Sequence, residues 1–411
     1  MILSEMLSYA DISQLSSIAK RYGCECNGHS KHELIQSILS NVQRKEVIAH
    51  SLEQLELEEL RFLNYLLFEQ MGPFSMEDLL ARVQQCRFDL TQKHQPAQQL
   101  ELISAPMTGV SGENVLGKGA SANGKSKQSK RKSSKNDKKQ SPQLTPREMI
   151  VRFKSQGWLF NGHRAHDRYM FHVPTDFRIR YRQILLGKLQ KSVIYCEAPL
   201  QVDDESGKLL EDMRLMLEYV DKHQPTAAAD GVMHRRAALQ INELCTVKDE
   251  LPSKGAWKFG YGKGFGELPD RMTLMYDYMW SKKWIELNYD RIMINEANRA
   301  HMHILQRNDL LDMVQHWLKS YRTPIPNIRA LVYWVVTLSS SWCTLQSLEA
   351  VLLPLIKPYY FDSATSVLHK RIIKPLKHFG ILQVGQQEQV GSVLQASSYG
   401  KKMMTMLYAE R

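Results

Sequence analysis

The sequence predicts a mainly α, α+β protein in which runs of short amphipathic helices are each closed by a small β-hairpin. Three observations carry this. Apolar residues recur at helical spacing through most of the chain. Ser, Thr and Pro starts and Gly ends punctuate those runs. The segments "GWLF" (157–160), "KWIEL" (283–287) and "FGILQV" (379–384) each sit where a helix hands over to an edge strand, so one unit is used more than once.

The elements follow in order. Leu15, Ile18, Ala19 and Tyr22, then Leu34, Ile35, Ile38, Leu39 and Val42, stripe two helices either side of the loop "GCECNGHS". Ser30 is placed to cap the second, with Glu33 at its third position. Leu52, Leu55, Leu60, Leu63, Leu66 and Leu67 stripe a longer helix ended by Gly72 and Pro73, and Ser75 with Asp78 opens another. Thr145, Pro146 and Glu148 start a helix that Gly157 ends, and "WLF" and "RYMFHVP" follow as two strands. Helix, helix, helix, hairpin is the order of a winged helix. The same order returns in "GKLLEDMRLMLEYVDKH", "DGVMHRRAALQINEL", "LPDRMTLMYDYMWSKK" and the hairpin "WIELNYDRIMIN". A third, weaker pass expects helices near Asp309–Tyr321, Asn327–Leu338 and Leu345–Leu355 before "HKRIIKPLKHFGILQV" and "SVLQASSYGKKMMTMLY". The resulting partition is a helical module over 1–48, a first unit over 49–178 with an insertion at 108–144, a second over 179–300 and a third over 301–411.

The chain of 411 residues carries a formal charge of +11, which suggests an anionic partner. Nine Lys/Arg against Asp137 alone place +8 between 117 and 141, leaving +3 for everything else. That tract is rich in Gly, Ser and Lys without apolar periodicity, so it is expected to be disordered. It reads both as a solvated linker and as a basic arm for phosphates, with Lys130, Arg131 and Lys132 at its centre. Six scattered cysteines argue for reduced thiols. With no apolar run long enough to span a bilayer and no basic start at the N-terminus, the expectation is a cytoplasmic protein.

Candidate chemistry is sparse. Cys24, Cys26, His29 and His32 are the four residues a zinc site would use, but Cys-x-Cys is tighter than structural zinc sites use. "GENVLGKG" (112–119) lacks the hydroxyl residue of a phosphate-binding loop. "GYGKGFG" (260–266) reads as an adaptable loop facing phosphate through Lys258 and Lys263. Asp203, Asp204 and Glu205 read as a solvated turn, with a metal-dependent nuclease as a distant alternative. His163, His166 and His172 fall on the first hairpin, and the tryptophans read as core. Further cationic clusters lie at His234, Arg235 and Arg236, at Lys282 and Lys283, and at His369, Lys370, Arg371, Lys374, Lys377 and His378. Arg235, Arg236, Lys370, Arg371 and Lys374 are the nucleic-acid contacts expected from these, against the plainer reading of a solvated face. No catalytic residue, metal or cofactor is expected.

"LSSIAKRYG" and "GHSKHELIQSIL" resemble the SAP motif, a helix–loop–helix associated with DNA binding. The resemblance implies phosphate contacts by Lys20, Arg21, His29, Ser30, Lys31 and His32 around the start of the second helix. From Leu52 onward the layout resembles the accessory N-terminal region of XPB-type helicases and bacterial helicase-associated proteins, through its "GWL"-like junctions and "DGVMHRRAAL" helix. No Walker Lys-hydroxyl pair or DExx box accompanies it, so ATP hydrolysis would belong to a partner such as a helicase. The expectation is a non-catalytic nucleic-acid-binding protein, DNA preferred, acting as an adaptor or regulator in transcription, replication or repair. The alternative is a winged-helix scaffold that binds proteins.

Overall fold

The computed structural model describes residues 1–24, 30–42, 44–68, 73–88, 144–253, 258, 260–303 and 305–409. It is a mainly helical α+β protein with small antiparallel sheets. The chain opens with α1 (Leu3–Tyr9), α2 (Ile12–Arg21), α3 (Lys31–Val42) and α4 (Lys45–Glu53). Leu7, Leu15, Ile18, Leu34 and Ile38 give α1–α3 a core of their own, into which Phe160 also packs. Ser30 caps α3 as expected, its hydroxyl accepting from the Glu33 N–H at 3.3 Å.

Next come α5 (Leu57–Phe68), α6 (Met76–Gln85), α7 (Pro146–Ser155), β1 (Phe160–Asn161) and β2 (Phe171–His172). Both sequence-predicted caps form. Ser75 and Asp78 exchange hydrogen bonds at the start of α6, and Thr145 and Glu148 do so at the start of α7. After α8 (Thr175–Gln190) and β3 (Val202–Asp203) follow α9 (Lys208–His223), α10 (Arg235–Leu244), α11 (Asp270–Ser281), β4 (Ile285–Asn288) and β5 (Arg291–Ile294). Then come α12 (Arg307–Tyr321), α13 (Ile328–Leu338), β6 (Cys343–Thr344) and α14 (Leu345–Leu352). A continuous helix made of α15 (Ala364–Ser366), a π-helical turn (Val367–Ile373) and α16 (Lys374–His378) leads to β7 (Leu382–Gln387), β8 (Gly391–Ala396) and α17 (Ser398–Tyr408). The wide turn lies just ahead of Pro375, which has no N–H to give the carbonyl of Arg371.

One connectivity occurs three times. A helix is followed by one or two extended residues, two helices and a hairpin, and the extended residues pair antiparallel with the hairpin's second arm. The pairs are Phe74 with Phe171, Thr226 with Arg291, and β6 with β8. The third pass is therefore α13, β6, α14, α15–α16, β7 and β8, and α12 precedes it where the sequence had suggested its first helix.

The three helix-to-hairpin junctions are the same turn. The N–H groups of Trp158, Trp284 and Ile381 bond five residues back to the carbonyls of Phe153, Met279 and Leu376, at 2.9–3.0 Å. Those of Gly157, Lys283 and Gly380 bond to Lys154, Trp280 and Lys377 at 2.8–3.0 Å. The middle residue must then be left-handed, and φ is +69°, +57° and +67° at the three positions. Only the second unit fills that position with a side chain.

A single core runs from Ile48 to Tyr408 and joins the units. At its centre the buried Trp334 of α13 donates its indole N–H to Asn64 of α5 at 2.7 Å. Trp284, Trp317 and Trp342 are buried as expected, and Trp280 is half-buried. Residues 194–203 wrap the third hairpin: Tyr195 bridges Cys343 on one side of the sheet and β3 pairs β7 on the other. Gly385 permits this crossing, since a Cβ there would stand 2.3 Å from Pro199.

Candidate nucleic-acid interface

Helices α2 and α3 pack together. Lys20 and Arg21, at the end of α2, and Lys31 and His32, at the start of α3, are all exposed. The first-turn N–H groups of α3 add a partial positive charge there. Arg21 reaches Gln54 at 3.4 Å. The module is seated on the first unit: Tyr22 donates to the carbonyl of Gln156 at 2.9 Å, Gln14 to that of Leu159 at 3.1 Å, and Leu3 N–H to Asp176 at 2.8 Å. His29 and Cys26 lie outside the described residues, as do Lys130, Arg131 and Lys132. Cys24 lies against α3, with Asn41 Nδ2 3.3 Å from its sulfur. Among the described residues no group of three or more His, Cys, Asp or Glu side chains converges as a metal site needs.

The first hairpin is the second cationic element. His163, Arg164, His166 and Arg168 are exposed along it, and Tyr169 is 80% exposed. Asp167 turns inward, accepting from the Arg164 N–H at 2.8 Å and lying 3.4 Å from His172. Burial opposes its charge, but that N–H and the neighbouring histidines prevail and lower its pKa. Burial likewise lowers the pKa of His172, against the pull of Asp167. The loop thus hides its carboxylate and displays its cations. Tyr9 stacks on His163 with centroids 4.3 Å apart, fixing the hairpin to the end of α1.

The third-unit cluster corrects the sequence reading. Arg371 is 6% exposed and meets Asp362 at 3.4 Å. Lys374 bridges Asp249 and Asp270 at 3.1 and 2.9 Å, Lys377 pairs with Asp203 and with Glu205 at 3.2 Å, and His369 pairs with Glu349. Lys374 and Lys377 tie the second and third units together, Arg371 and His369 pair within the third, and Lys370 alone of the three predicted there is exposed. The turn read as solvated is also internal at Glu205, which is 1% exposed. Arg271 of α11 joins Glu205 to Asp212, the latter at 2.7 Å, and His378 Nδ1 lies 2.9 Å from Glu205. A cation surrounded by two carboxylates is what makes burial of Arg271 tolerable. Asp203 and Asp204 are likewise engaged, by Lys377 and by Ser206 with Gln383.

Two other predicted positions differ in kind. Arg235 and Arg236 are exposed at the start of α10, with Arg235 donating to the carbonyl of Pro252 at 2.9 Å. Lys258 and Lys263, expected to face phosphate, are structural: Lys258 donates to the Leu268 carbonyl and pairs with Asp270 at 3.1 Å, while Lys263 lies over the Trp280 ring at 4.3 Å. Sequence reasoning missed Arg271, Asp212 and Glu205 as a set because they come from three segments. An Arg among apolar neighbours in "LPDRMTLMYDYM" was the only available signal.

No described helix is long and apolar enough to cross a membrane. No protein-family model, curated protein or solved structure matches this chain.

Proposed function

We propose that this chain is a non-catalytic nucleic-acid-binding protein, DNA preferred, serving as an adaptor or regulator in transcription, replication or repair. Its N-terminal helices act as a SAP-like module and its three repeated units as winged helices. The reading draws on the connectivity they share, in which the strand after the first helix pairs with the hairpin's second arm. The carrying observation is that exposed cations gather at the end of α2, the start of α3 and along the first hairpin, in the part of the chain that also contains the lysine tract, with Arg235, Arg236 and Lys370 exposed further along. Affinity is then mainly backbone contact, strongly salt-dependent and weakly sequence-specific.

The test is fluorescence anisotropy with labelled duplex and single-stranded oligonucleotides over a salt titration. Lys20→Glu/Arg21→Glu/Lys31→Glu should weaken binding about tenfold or more and lower the salt slope by about 0.7–0.9 for each phosphate that the variant no longer neutralises. Wild-type protein that binds neither oligonucleotide at low salt refutes the proposal.

A second reading, a winged-helix scaffold for a protein partner such as a helicase, has its own support. The third helices of the second and third units, α11 and α15–α16, are largely buried, and α11 packs against α9, α12 and α16. Neither is open to a groove in the way a recognition helix must be. This reading predicts partner capture that survives deletion of residues 117–141.

A further inference from the structure

Between α11, α12 and α13 lies an open cleft of about 580 Å³ that none of the predicted contact residues lines. Its wall carries Lys282, Lys319, Arg322 and Arg329 against a single carboxylate, Asp312. Asp312 pairs with Lys282 at 2.9 Å. Lys319, on the last turn of α12, and Arg322, the residue that caps its C-terminus, are both exposed and line the cleft with His316. Cations gathered from three helices around one concavity, with one acid among them, form a field that attracts anions.

His316 is held in place from behind. Its Nε2 lies 2.7 Å from Asp277, whose other oxygen accepts the Lys263 N–H at 2.7 Å. Gly262, at φ +104°, lets the glycine-rich loop come this close, because a Cβ there would stand 2.6 Å from the Asp277 carboxyl carbon. Burial opposes the Asp277 charge, but His316 and the Lys263 N–H prevail and lower its pKa. The Asp277 carboxylate fixes the imidazole from one side, and His316 forms part of the cleft lining.

We infer that this cleft is a phosphoryl-anion site, with Lys319 and Arg322 as its charge contacts and the other cations of the wall adding to its field. The phosphate comes from a nucleic-acid backbone, which rests on the function proposed above, or from a free polyphosphate, which does not.

The test uses the full chain and two probes, a fluorescein-labelled 20-nucleotide single strand and inorganic tripolyphosphate, the latter followed by calorimetry at low salt. Variants are Lys319→Glu/Arg322→Glu, Lys319→Gln/Arg322→Gln and the N-terminal triple reversal, each checked for an unchanged melting temperature. The expected result is loss of at least tenfold in affinity for one probe in the α12 reversal, and a smaller loss in the neutralised variant. If the α12 variants bind both probes as wild type does, the cleft assignment is overturned, while a weakened triple reversal keeps the broader function standing. If tripolyphosphate binds and is lost in the α12 reversal while no oligonucleotide binds wild type, the site stands and the nucleic-acid function falls. Wild-type protein that binds neither probe overturns both.

Discussion

Replacing Glu205 by Gln removes a negative charge from the point where Arg271, Lys377 and His378 converge. Burial works against that charge, but the hydrogen bond and charge of His378, followed by the charges of Arg271 and Lys377, prevail and hold the carboxyl down at about 2, against an ordinary 4.5. The folded value lies below the unfolded one. The stabilisation is therefore complete above pH 4.5 and disappears as pH falls toward 2. That gap is worth about 3 kcal/mol at pH 7. Breaking a buried ion pair by removing one partner costs about 3–5 kcal/mol, so two independent routes agree in size. At an unfolding entropy of about 2.1 cal/mol/K per residue, a body of about 300 residues shifts by about 1.6 °C per kcal/mol, so Glu205→Gln should lower Tm by about 5 °C at pH 7. Thermal and urea unfolding followed by circular dichroism at pH 7, 5 and 3 measures it. The difference from wild type should shrink to less than half by pH 3, because the unfolded chain has by then taken up the proton on Glu205 while the folded protein largely has not. Equal stability at pH 7, or a difference constant from pH 7 to 3, refutes the reasoning.

Two further outcomes concern the repeated junction. Lys283→Gly relieves a side chain held at φ +57°, which costs about 1–2 kcal/mol in this region, and after glycine's greater chain entropy it should stabilise by about 0.5–1 kcal/mol in urea unfolding. Gly380→Ala should destabilise by about 2 kcal/mol or more, since φ is +67° and the new Cβ would stand 2.7 Å from the Ser206 Cα; a midpoint equal to wild type would show that the approach is not as close as described.

Much of the local structure was legible because its causes are local. Ser30, Ser75 and Thr145 cap where residue type and the acid three positions later say they should. The "GWLF", "KWIEL" and "FGILQV" junctions share a turn whose hydrogen bonds span only six residues, so a pattern in one dimension was enough. The fate of the cations was not legible. "HKRIIKPLKH" and "SKHE" look alike as strings of basic residues, yet Lys31 faces water while Arg371, Lys374 and Lys377 meet Asp362, Asp249, Asp270, Asp203 and Glu205.

By itself, the order of residues determined the helices, their caps, the repeated hairpins and the separate basic tract, because propensity, periodicity and capping act over a few positions. Only the tertiary structure decided which charges are offered to a partner and which are neutralised inside. The carboxylates that neutralise the third-unit cations lie between 9 and 174 residues away in the chain. Whether an Arg is a phosphate contact or an internal tie depends on what the fold sets beside it, and sequence spacing carries no record of that distance.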